Sequence, residues 1–164
     1  MKKIFLILFV ICFSCAEQKS TQFDMYGISF TYPSDWKVTD TADFGSAKYI
    51  SIEKKGLTSS GIITMSFTSE DFELDEYLQF LQELLEEQDV LENLVFQKTK
   101  ETQYGKYKGI SSPYTFNVSS IKHEGEIYVF EENGITMGLI QQEATEDHKK
   151  NLNGFETIKE SLSL

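Results

Sequence analysis

Apolar and polar residues alternate through "MYGISFTYPSDWKV", where Tyr26, Ile28 and Phe30 are separated by Gly27, Ser29 and Thr31. A period of two belongs to a strand with one face buried. Pro33 cannot donate to a ladder and "PSD" has turn chemistry, so the strand is expected to stop there. Trp36 and Val38 then open a second extended piece, and "KYISIEKK" and "GIITMSFTS" predict two further strands around "GLTSSG". From Leu74 to about Asn93 the period changes. Leu74, Tyr77, Leu78, Leu81, Leu84 and Leu85 recur at helical spacing and form one apolar stripe, with Glu76, Gln79, Glu83, Glu86 and Glu87 largely opposite.

After "NLVFQKTKETQYG", alternation returns from Lys106 to Ala144, where "HEGE" and "ENGI" read as hairpin turns. A closing helix is expected within "TEDHKKNLNGFETIKESL", because Phe155, Ile158 and Leu162 share one helical face. The order is strands, helix, strands, helix. It predicts an α+β domain, an antiparallel sheet with helices packed on it.

The first residues follow a different pattern. Lys2 and Lys3 precede an apolar run from Ile4 to Phe13, and small Ser14 follows it, as in a secretory signal. A run of that length is about half the roughly 20 residues a membrane-spanning helix needs. Cys15 directly follows Ser14, and "CFSCAEQ" loosely resembles the lipobox of bacterial lipoproteins, in which such a cysteine becomes the lipid-bearing N-terminus. Phe13 and Cys12 are unusual at the two preceding lipobox positions, and the alternative is an ordinary signal peptide with incidental cysteines. The lipoprotein reading divides the chain into a signal peptide (1–14), a polar tether (15–23) and one domain (24–164). Cys15 is then the lipidation site and the membrane anchor, in the bacterial cell envelope. It would be the one cysteine of the mature chain, which leaves no thiols for a disulfide or a zinc cluster.

Charge narrows the partners. The net charge is −11, and losing Lys2 and Lys3 from the 15 basic residues leaves 13 against 26 acidic ones, a net −13. Phosphate binding needs a basic patch, so nucleic acid is not an expected partner, and electrostatic docking on anionic lipid is disfavoured for the same reason.

Few residues carry recognisable chemistry. His123 falls in an expected turn and His148 at the start of the last helix, without a second histidine at metal spacing, so both are expected to be solvated. No serine stands in a G-x-S-x-G setting and the glycines form no phosphate-cradling cluster. The run "SEDFELDE" offers Glu70, Asp71, Glu73, Asp75 and Glu76 as calcium ligands, but it lacks the glycine and final glutamate of an EF-hand. Acidic residues at a helix start also complement the helix dipole. "DTA" resembles an O-glycosylation motif of Bacteroidetes, with Thr41 as the acceptor. No catalytic residue, cofactor-binding residue or metal ligand is assigned.

"YGISFTYPSDWKV" resembles the opening of PsbP-like domains, with their "YP-x-x-W" corner, and "FETIKESLSL" resembles their final helix ending near "I-x-x-S". The resemblance extends over nearly all of the expected mature chain and includes the DcrB-type bacterial lipoproteins. It implies a central antiparallel sheet with helices on both faces, and it implies assistance or binding rather than catalysis. Trp36 in the corner is expected to be a core anchor. Two functional readings follow. One is a non-enzymatic binding or accessory module for an envelope protein. The alternative is a small ligand-binding or hydrolytic lipoprotein with a pocket between sheet and helix.

Overall fold

The computed structural model describes residues 19–56 and 60–164. The expected signal peptide and Cys15 lie outside the described residues. The "YP-x-x-W" corner folds as expected from its chemistry. Strand β2 (Ile28–Pro33) stops at the proline and β3 (Trp36–Asp43) starts at the tryptophan. The expected tether is partly structured, because its last residues form β1 (Ser20–Met25), antiparallel to β2 with Phe23 opposite Phe30. Their rings stack at 4.8 Å. Ordered structure thus begins before residue 24.

Beyond this hairpin lie β4 (Ala47–Lys54), β5 (Ile62–Thr68), helix α1 (Leu74–Glu86), β6 (Glu92–Phe96), β7 (Lys100–Tyr104), β8 (Tyr107–Val118), β9 (Ile121–Glu132), β10 (Ile135–Ala144) and helix α2 (His148–Ser161). Eight strands form one antiparallel sheet in the order β3-β4-β5-β10-β9-β8-β6, with β7 also paired to β8. Pro113, which has no N–H to donate, sits where the outer edge of β8 passes from β7 to β6.

Alternate residues of the long strands face opposite helices. Ile127 and Val129 of β9 pack with Tyr77, Leu78, Leu81 and Leu85 of α1. Phe130 of β9 and Met137 and Leu139 of β10 pack with Phe155 and Ile158 of α2, together with the β1–β2 hairpin. Helices therefore cover both faces, as the resemblance implies. Trp36 is fully buried beside Phe155, with ring centroids 5.2 Å apart. A Cβ on Gly154 would lie within 2.4 Å of three indole atoms, so α2 lies this close to Trp36 only because that residue is glycine.

Two details depart from the sequence expectations. Helix α1 ends at Glu86 rather than near Asn93. Its apolar stripe runs out at Leu85, Glu86 and Glu87 oppose the negative end of the helix dipole, and Asn93 adopts φ +55° at the bulge in β6. "HEGE" is no turn but lies within β9. Gly125 is glycine for space: a Cβ there would collide with the Tyr114 ring and the Gln141 carbonyl. The turn of that hairpin is Ser119–Ser120, at φ +49° and +70°, whereas "ENGI" does turn, at Asn133–Gly134.

Candidate functional site

The β9–β10 register places Glu124 directly opposite Glu143 and Glu126 opposite Gln141. All four point to the α2 face of the sheet, where the chain leaves β10 and turns through Thr145–Asp147 into α2. That short turn brings His148 back over the strand it has just left. Its Nδ1 lies 2.7 Å from Glu143 Oε1 and 3.8 Å from Glu124 Oε1. Asn151, one helical turn further and fully buried, donates from Nδ2 to Glu143 Oε2 at 2.8 Å. Glu143 has only 6 % of its side chain exposed, whereas His148 is 55 % exposed.

Glu124, Glu143 and His148 border a cleft of about 250 Å³, which Gln97, Tyr114, Glu126 and Gln142 also line. Tyr114 donates from its buried hydroxyl to Gln142 Oε1 at 3.0 Å, and burial raises the pKa of that hydroxyl. Glu126 accepts from Ser111 Oγ at 2.7 Å and from Tyr128 at 2.8 Å, and pairs with Lys100 at 3.0 Å. Burial alone would raise the Glu126 carboxyl, but the hydrogen bonds from Ser111, Lys100 and Tyr128 outweigh it and hold the pKa below the ordinary value. Behind the cluster, Asp147 is held low chiefly by its hydrogen bond from Lys150, with further help from Ser60.

His148 does start the last helix, but it is paired rather than simply solvated. His123 lies in β9, half-exposed and stacked on Phe116 with centroids 4.9 Å apart. The residues of "SEDFELDE" are spread from the end of β5 into the first turn of α1, and Glu70 accepts from Ser46 Oγ at 2.7 Å. Among the described residues, three ligating side chains come together only at Glu124, Glu143 and His148. Thr41 lies on edge strand β3, with its backbone N–H donated to Asp40. Tyr104, Tyr107, Tyr114 and Phe116 are all buried in the core. The cluster had one signal in the sequence, a glutamate and a histidine on either side of a strand-to-helix junction. Glu124 was invisible without the register.

A second feature lies on the opposite face. From Gly56 to Gln97 the chain has no lysine or arginine, yet carries ten carboxylates between Glu70 and Glu92. Helix α1 holds several of them on its outer side, and there Phe80 is 46 % and Leu84 40 % exposed, one turn apart.

The architecture is that of the PsbP-like proteins. The chain superposes on cyanobacterial PsbP from Synechocystis with a TM-score of 0.59 at 10 % identity, covering 93 % of this chain and 96 % of that one. It superposes on LpqN of Mycobacterium tuberculosis, a protein involved in cell envelope biogenesis, with a TM-score of 0.53 at 12 % identity over 90 % and 91 % of the two chains. A Bacteroides thetaiotaomicron protein gives 0.52 at 14 % identity, the match covering 84 % of this chain and 44 % of that longer one. No protein-family model matches the sequence, and no curated protein does. Such low identities establish a common fold, and function has to be argued from the sites. Among the described residues no helix is long and apolar enough to cross a membrane.

Proposed function

We propose that this protein is a lipid-anchored accessory module of the bacterial cell envelope, held by Cys15, that binds a protein partner through the outer face of α1. The observation that carries the reading is the pairing of exposed Phe80 and Leu84 with a surround of carboxylates that has no base in the sequence from Gly56 to Gln97. Single exposed apolar side chains are ordinary on a solvated surface, but two of them one helical turn apart make a small apolar patch. An exposed apolar pair on a helix whose only charged residues are acidic suits a basic segment that seats apolar side chains against Phe80 and Leu84. The acidity also turns this face away from anionic lipid, toward whatever stands above the membrane. The part LpqN plays in envelope biogenesis supports an envelope role for a protein of the same fold.

Two measurements test the proposal. Cys15→Ala should release the protein from membranes or block its processing, and normal processing with retention would defeat the anchor. A photo-crosslinker at Gln79, beside Phe80, should trap one discrete partner in intact cells. Phe80→Ser with Leu84→Ser should abolish that adduct without changing the melting temperature by more than a few degrees. An adduct indifferent to the double substitution, or none in the parent protein, would remove α1 as the docking face.

A further inference from the structure

We propose that Glu124, Glu143 and His148 form a binding site for one divalent first-row metal ion, zinc in the first instance. Their three candidate ligand atoms lie within 4.8 Å of one another and come from β9, β10 and α2. Zinc bonds of about 2.0–2.2 Å to imidazole and carboxylate place neighbouring tetrahedral donors roughly 3.4 Å apart. The His148–Glu143 separation of 2.7 Å would widen slightly and the His148–Glu124 separation of 3.8 Å would narrow. Side-chain rotation supplies both changes, because Glu124 and His148 are about half exposed while Glu143 is fixed in the wall.

Two further observations point to a cation. The Glu143 carboxylate is almost wholly out of water, yet among the described residues its hydrogen-bonding partners are His148 and the neutral Asn151 amide, with no lysine or arginine. A buried carboxylate is costly unless paired, and a divalent ion is a stronger partner than one imidazole. Asn151 also engages only Oε2, leaving Oε1 turned toward His148 and Glu124. An outer hydrogen bond of that kind orients a metal-binding carboxylate. One nitrogen and two oxygen donors suit zinc and its neighbours better than calcium, which takes six to eight oxygens. Three protein ligands leave a coordination position open to the cleft, for water or for a donor group from a bound molecule.

The test uses the untagged full-length chain in detergent with Cys12→Ser and Cys15→Ser, so that no thiol competes for metal. Zinc titrated against a chromophoric chelator should bind at one equivalent and raise the melting temperature. Cobalt(II) should give the visible bands of a nitrogen–oxygen site. His148→Ala and Glu143→Gln should each weaken zinc at least tenfold. His123→Ala should leave affinity unchanged, separating this site from general histidine binding. His148→Ala removes a half-exposed side chain, so its fold can be verified by circular dichroism before titration. Lack of saturable binding in the parent chain, or parental affinity retained in the His148→Ala and Glu143→Gln chains, would show a hydrogen-bonded cluster only and overturn the site.

Discussion

Individual residues here are governed by space and by hydrogen-bond supply. Gly154 and Gly125 admit the Trp36 and Tyr114 rings against the backbone, and neither neighbour can retreat without moving a strand or helix. Gly154→Ala should therefore destabilise the fold by about 1–3 kcal/mol, the usual cost of overpacking, read as a lower urea midpoint at unchanged slope. At Ser120 the opposite applies. Its φ of +70° is a conformation that glycine adopts freely and serine does not, so Ser120→Gly should stabilise the β8–β9 hairpin by roughly 0.5–1 kcal/mol. Ser111→Ala removes one of the donors that hold Glu126 low, and carboxyl titration by NMR should show that pKa rise.

The elements are decided by whether their periodicity has a surface to meet. In α1, Tyr77, Leu78, Leu81 and Leu85 all find the β8–β9–β10 half of the sheet, and the helix stops when that supply of apolar residues ends. Leu81→Ala should cost about 2–5 kcal/mol in chemical denaturation. Glu86 stands in the last turn, where a positive charge is favoured and no basic residue is present. Glu86→Lys should gain roughly 0.3–1 kcal/mol at low salt and lose that gain at high salt. The sequence pattern marked both helices and most strands correctly, because a buried face imposes a strict spacing. It failed at "HEGE", where a glycine signals a turn but here answers a ring from the neighbouring strand. No local rule distinguishes those two uses of glycine.

Across the whole molecule, acidity sets the response to pH. Glu126, Asp147 and Asp43 all have carboxyls held below their ordinary values by hydrogen bonds. Each bound proton therefore favours the unfolded chain. Their stabilisation is fully present above the unfolded pKa values near 4 and is lost as pH falls through the lower folded ones. Melting temperature should stay level from pH 7 to about 5 and drop steeply below about 4. A melting temperature that rose on acidification below pH 4 would show that relief of the net −11 charge outweighs the loss of these hydrogen bonds.

The two candidate sites divide along the same line between local pattern and global arrangement. The acidic run and the amphipathic helix were legible along the chain, since both are properties of neighbours in sequence. So were the α+β order, the "YPSDW" corner and the resemblance carried by it. The Glu124–Glu143–His148 cluster was not, because residues 19 positions apart meet only through a strand register and a helix that folds back on its own strand. Sequence spacing determined which residues share a face of an element. Only the tertiary structure decided which faces meet, because registry and helix docking are set by the packing of Trp36, Tyr114 and Phe155, each placed by backbone far away in the chain.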